Sequence, residues 1–190
     1  MLFHIISDKY IEYLQRTEPH VMSNKEGVRT YHRKYLGVLT ELNGFHYFIP
    51  LSSPKEKDFN KQGNIKNDSA ITIYIRNKKK LYGTLKLNSM IPVPNSELIK
   101  YDLNDEGDLR YKMLVLNELY FVRANAQRIE TAAKSLYKQK IAQMNGEVDE
   151  NHNLEFSLLS FPSISFSIES GSGAKKSRPV RLSTSSTVTA

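Results

Sequence analysis

The chain has 190 residues, of which 39% are hydrophobic and 25% charged, with a net charge of +7 at neutral pH. That is a globular composition with enough length for a real core, which excludes wholesale disorder. There is no cysteine, so disulfides, thiolate metal sites and a cysteine nucleophile are excluded.

The five histidines show neither H-x-x-H nor H-E-x-x-H spacing, which argues against a zinc hydrolase. The glycine-rich nucleotide loops G-x-x-x-x-G-K-[ST] and G-x-G-x-x-G are absent as well. The positive charge points to an anionic partner such as nucleic acid. Four of the seven excess charges, Lys175, Lys176, Arg178 and Arg181, sit in the last twenty residues, which leaves a body of only +3. No apolar run approaches the length of a membrane helix, and residues 1–6 are too short for a secretory signal. The expected compartment is the cytoplasm.

Residues 2–6 read as a short strand. Ser7 then reads as an N-cap, with Tyr10, Ile11, Tyr13 and Leu14 at helical spacing and Pro19 forbidding continuation. Residues 18–33 read as a loop. Two β-rich runs, 35–42 and 45–51, flank Asn43-Gly44, which predicts a hairpin. Residues 52–69 read as a loop, 71–75 as a strand, 78–80 as a turn and 81–90 as another strand, closed by Ile91-Pro92-Val93-Pro94.

From Leu109 the period becomes helical. Leu109, Met113, Leu116 and Tyr120 form one stripe. Val115, Leu119, Val122, Ala126, Ile129, Ala133 and Leu136 form an adjacent one. This helical region, 109–143, is read either as one helix or as two with a single break, and is expected to stop at Asn145-Gly146. Residues 154–159 predict a short helix or strand. Residues 160–190 are Ser-rich and read as a tail, outside a single domain of residues 1–159.

The chemistry concentrates in Leu51-Ser52-Ser53-Pro54-Lys55, directly after a predicted strand. Two hydroxyls and an ammonium can hold a phosphate, and Pro54 stiffens their turn. Alone, such a tetrapeptide is more often a solvated Ser-Pro turn. Arg29, Tyr31, His32, Arg33 and Lys34 form a second cluster, just before the strand that the hairpin pairs with the first. The two clusters therefore fall at one end of neighbouring strands and make one candidate site. A solvated basic edge is the plainer alternative. Further RNA-facing candidates are Lys57, the run Lys78-Lys79-Lys80, and Arg123 with Asn125 in the long helix. No acidic pair or two-metal cluster is evident, so no metal or other cofactor is expected.

Several motifs together resemble the ToxN/AbiQ endoribonuclease toxins of type III toxin–antitoxin and phage abortive-infection systems. They are Phe3 with Ile5-Ile6-Ser7, Tyr10-Ile11, Tyr13-Leu14, Tyr35-Leu36-Gly37-Val38-Leu39 and Tyr47-Phe48. Pro50-Leu51-Ser52-Ser53-Pro54-Lys55, Met90-Ile91-Pro92 and Phe121-Val122-Arg123-Ala124-Asn125 complete the set, over roughly residues 2–159. The resemblance implies an α+β fold, a strongly twisted antiparallel sheet or partial barrel flanked by helices, like that of the Kid/MazF toxins. It implies metal-independent RNA cleavage and inhibition by a small repeat-encoded, pseudoknot-like antitoxin RNA in a closed protein–RNA assembly.

By motif, Ser53 is then the key hydroxyl, with Ser52 and Lys55 beside it. Tyr31 and Arg33 take the family's aromatic and basic positions, and Arg33 stands where lysine is expected. Cellular or phage RNA is the expected substrate, with neither DNA nor membrane as partner. With no metal cluster, the RNA's own 2′-OH is the natural nucleophile, which would leave a 2′,3′-cyclic phosphate and a 5′-OH. A non-catalytic RNA-binding module is the alternative reading, and a protein-docking domain using the 109–143 helix is a third.

Overall fold

Ser7 divides the first two elements. Strand β1 (Phe3–Ile6) ends at it, and its Oγ accepts a hydrogen bond from the Tyr10 amide at 3.2 Å, capping helix α1 (Asp8–Thr17). The computed structural model describes residues 2–24, 32–42 and 45–145. These lie in one unit, Met1–Ser160. The Asn43-Gly44 turn, Gly146, the 154–159 segment and the Ser-rich 160–190 stretch lie outside the described residues. Helix α1 buries Tyr10, Ile11 and Leu14 and stops two residues before Pro19, as the fixed proline ring requires.

The predicted hairpin strands are β2 (Tyr35–Leu42) and β3 (Phe45–Ser52), paired antiparallel. Gly37 sits opposite Phe48, and a Cβ at Gly37 would lie 3.0 Å from that ring. Strand β4 (Thr72–Arg76) matches expectation. The predicted 81–90 strand is shorter. It ends as β5 (Leu81–Lys86), and a 3-10 turn at Leu87–Ser89 redirects the chain. Ile91–Val93 then forms a separate strand, β6, on β3. A seventh strand, β7 (Leu98–Lys100), pairs with β1 and was not expected. Three-residue strands have too few positions to show a period, so an open neighbouring edge decides them.

Every pairing is antiparallel, in the order β4-β5-β3-β2-β1-β7, with β6 branching from β3. The path is open, with β4 and β7 at its ends. Strand β3 is the hub. Phe45 to Pro50 pair with β2, His46 to Phe48 also with β6, and its last two residues, Leu51 and Ser52, pair with β5.

The helical region is two helices, α2 (Leu109–Ala124) and α3 (Ala126–Met144), broken at Asn125. Val115, Val122, Ile129, Ala133 and Leu136 pack with Leu36, Ile49, Leu51, Ile73, Ile75 and Leu85 of the sheet. Fully burying such a side chain stabilises by about 1.5–3 kcal/mol. The other apolar stripe faces outward, and Leu109, Met113 and Tyr120 are exposed. Two adjacent apolar stripes share one period, so periodicity cannot say which meets the sheet. Among the described residues no helix is long and apolar enough to cross a membrane.

Candidate active site

Strand β3 delivers its last residue, Ser52, to the edge of β5, where Ser52 is the register partner of Thr84. Directly paired residues project to the same sheet face, and strand residues two apart share a face. Ser52, Thr84 and Lys86 therefore lie together, and Thr72 of β4, the register partner of Lys86, joins them. These polar side chains form the floor of a cleft of about 280 Å³. The exposed turn Ser53-Pro54-Lys55 and Lys57 form its rim.

The rim has its own support. Asp58 closes the 3-10 turn Glu56–Asp58. Its amide donates to the Lys55 carbonyl at 2.9 Å, and its Oδ2 accepts from the Lys55 amide at 2.8 Å. Asp58 is only 2% exposed, and its Oδ1 lies 3.8 Å from Lys86 Nζ. One buried carboxylate thus fixes the Lys55 backbone and partners the Lys86 ammonium. Burial lowers the Lys86 pKa, Asp58 partly opposes that, and Lys57 and Lys55 reinforce it.

The structure brings Arg33 and Lys34 of the second cluster to the end of β3, but changes what they do. Arg33, expected beside the phosphate, is 1% exposed. Its guanidinium donates to the Leu51 carbonyl at 2.9 Å, to Ser52 Oγ at 3.1 Å and to the Ser23 carbonyl at 3.0 Å. It braces the end of β3 from beneath, and Ser52 is held where the cleft opens. Lys34, expected to face RNA, is also buried. Its ammonium donates to Tyr111 Oη at 2.5 Å, sits 3.6 Å from Glu118 and lies over the Tyr111 ring. The Lys34 carbonyl accepts from the Leu51 amide at 2.9 Å. Desolvation raises the Glu118 pKa, and Lys34 opposes the rise. Both basic residues were legible as a cluster. Their burial follows from the β2–β3 register, which local sequence does not contain.

Arg29 and Tyr31 lie outside the described residues. Lys78, Lys79 and Lys80 are exposed on the turn between β4 and β5. From Lys80 to Lys86 is about 20 Å along an extended strand, so this run sits away from the cleft floor. Arg123 is exposed on the last turn of α2. Asn125 spends its side-chain amide on the Phe121 carbonyl at 2.8 Å, which makes it a helix-break residue. Sequence reading missed Asp58, Thr72, Thr84 and Lys86. The signal was the alternation in Thr84-Leu85-Lys86, a polar face inside an apolar strand.

The cleft can hold an anion. Three lysines, Lys55, Lys57 and Lys86, line it together with Ser52 and Ser53. Among the described residues no three His, Cys, Asp or Glu side chains converge. Such a donor set favours a phosphodiester over a cation.

Comparisons with known proteins show the family and the fold. The family model for the ToxN toxin of type III toxin–antitoxin systems matches residues 2–161. The endoribonuclease ToxN of Bacillus thuringiensis subsp. kurstaki is 35% identical over 143 residues, covering 74% of this chain and 69% of that protein. A solved structure from work on a processed non-coding RNA that regulates a bacterial antiviral system superposes with a TM-score of 0.66 at 27% identity. It covers 78% of this chain and 90% of its own. Another, from work on selective toxin inhibition by a non-coding RNA pseudoknot, gives a TM-score of 0.61 at 34% identity. There the coverage is 71% of this chain and 76% of the other. With its sheet, its Ser52-Ser53-Pro54-Lys55 turn and a family match over most of its length, the chain belongs to the ToxN toxin family of type III toxin–antitoxin systems.

Proposed function

We propose that this chain is a metal-independent endoribonuclease toxin whose active site is the cleft at the end of β3. The observation that carries the reading is the exposed Ser53 turn set among three lysines over a polar floor. In the proposed reaction the ribose 2′-OH gives up its proton and its oxygen bonds to the adjacent phosphorus. The P–O5′ bond breaks, and the leaving 5′ oxygen takes a proton. The products are a 2′,3′-cyclic phosphate and a 5′-OH, and no outside co-reactant is needed. Ser53 and Ser52 orient the phosphodiester by hydrogen bonding, and Lys55 stabilises charge on its equatorial oxygens. Tyr31 stacks on or hydrogen-bonds the nucleotide. Lys57, Arg29, Lys78, Lys79, Lys80 and Arg123 track the flanking backbone.

Related toxins are inhibited by a non-coding RNA pseudoknot. By the same chemistry, a small repeat-derived RNA occupies this cleft and blocks substrate, in a closed assembly of alternating protein and RNA. Cellular or phage RNA is the proposed substrate.

The test is incubation of the purified chain with mixed-sequence RNA in EDTA, followed by analysis of the product ends. Cyclic-phosphate ends that vanish in Ser53→Ala and Lys55→Ala are expected. RNA that is bound but left intact by the unsubstituted chain would instead support a non-catalytic RNA-binding module. Cleavage that needs a divalent ion would overturn metal independence.

A further inference from the structure

We propose that Lys86 is a further catalytic residue, whose ammonium contacts the reacting phosphodiester from the cleft floor. The proposal rests on the endoribonuclease reading of this cleft.

Geometry comes first. Lys86 shares the cleft with Ser52 and Ser53, reaching it from β5, while Lys55 lines it from the loop after β3. A phosphodiester in the cleft would meet positive charge from two elements. Lys55 is exposed, so its side chain stands in water and its charge is screened. Lys86 is partly buried, rises from a paired strand and leans on the buried Asp58. A cation held in place in a water-poor site stabilises developing charge better than a mobile one.

Its ion pair does not use it up. At 3.8 Å from Asp58 the ammonium has a neighbouring charge but no short hydrogen bond there, and it keeps donors for a ligand. Beside it, Thr84 Oγ1 is fully buried and has no hydrogen-bond partner among the described residues. Leaving a buried hydroxyl unmatched costs about 1–3 kcal/mol, and such costs cluster at functional sites. The unmatched Thr84 hydroxyl on this floor is thus poorly explained by folding alone.

The groups that face Lys86 set its response to pH. Asp58, on the 3-10 turn, favours the charged form. Lys55 and Lys57, on the same loop, disfavour it, as does burial. Strand β4 contributes the neutral Thr72 and the Tyr74 phenol. The balance lowers the Lys86 pKa from its ordinary value. Below that pKa the ammonium is present. Above it the charge is lost, so cleavage that depends on Lys86 falls as the pH rises through it.

The experiment uses the full chain and a single-stranded RNA oligonucleotide with one cleavage site. Rates are followed from neutral to alkaline pH for the unsubstituted chain, Lys86→Met, Lys86→Arg and Ser53→Ala. Lys86→Met is expected to lower kcat by about 100-fold with KM changed little, the usual loss for one transition-state donor. Lys86→Arg keeps a permanent charge. It is expected to recover part of the rate and to move the alkaline fall in activity to higher pH. A merely structural lysine would not move that limb.

An alkaline limb in Lys86→Arg coincident with that of the unsubstituted chain would overturn the proposal, as would a Lys86→Met rate within about threefold of it. Should Lys86→Met fail to fold once Asp58 loses its partner, Lys86→Arg retains the ion pair and its pH profile alone decides. Cleavage that survives Ser53→Ala would instead overturn the reading of the cleft itself, which separates the two failures.

Discussion

Arg33 shows what burial does to the role of a charged side chain. Its guanidinium is enclosed and meets three oxygens in two directions, from Leu51, Ser52 and Ser23. A planar fork can do this, whereas a lysine ammonium on a single stem cannot reach all three. Arg33→Lys is therefore expected to leave at least one buried carbonyl unpaired and to lower stability by about 1–3 kcal/mol. Chemical denaturation checks this. Because Ser52 loses its anchor, RNA cleavage should slow as well, even though Arg33 faces away from solvent. Lys34 differs in kind: its charge is matched by Glu118 and the Tyr111 ring, beneath α2. Lys34→Met removes the buried cation but strands the Glu118 carboxylate. The variant is expected to be less stable than the double change Lys34→Met with Glu118→Leu, because an unmatched buried charge costs more than a missing pair. Comparing the two denaturation midpoints tests that order.

The β5–α2 contact depends on one glycine. A Cβ on Gly83 would lie 2.9 Å from Glu118 Oε1 and 3.1 Å from the Ser52 carbonyl. The carboxylate end can swing aside, but the carbonyl belongs to the β3–β5 pairing and cannot. Gly83→Ala is expected to cost about 1–3 kcal/mol by overpacking and to slow cleavage by displacing Ser52. Denaturation and single-turnover kinetics read the two effects separately. Element by element, the sequence was legible wherever the signal was local. The Ser7 cap, the helix stop before Pro19, the paired β-rich runs and the change of period at Leu109 all rest on contacts a few residues apart. Strands β6 and β7 were not legible, since each is made by a neighbour's edge and not by its own pattern. The outward-facing stripe on α2 was misleading for a related reason: apolar spacing defines a face without saying what covers it.

Charge acts at the level of the whole chain. The body carries only +3 once the basic tail is set aside, so net charge alone would steer RNA weakly. The cleft concentrates what charge there is, with Lys55, Lys57 and Lys86 around one cavity. Lys57→Ala is expected to weaken RNA binding for all sequences alike. The slope of log K against log salt should become shallower by about 0.7, one phosphate contact on a single strand. Titration of binding at several salt concentrations measures it.

Sequence by itself determined the α+β class, the polar Ser52-Ser53-Pro54-Lys55 turn after a strand and the family resemblance, because these are written in neighbouring residues. Only the tertiary structure decided the cleft. Pairing β3 with β5 sets Ser52 against Thr84, thirty-two positions apart in the chain, and brings Asp58 and Lys86 to one ion pair. The same folding buries Arg33 and Lys34 as braces. Register between distant strands is fixed by the packing of the whole core, and no local pattern carries it.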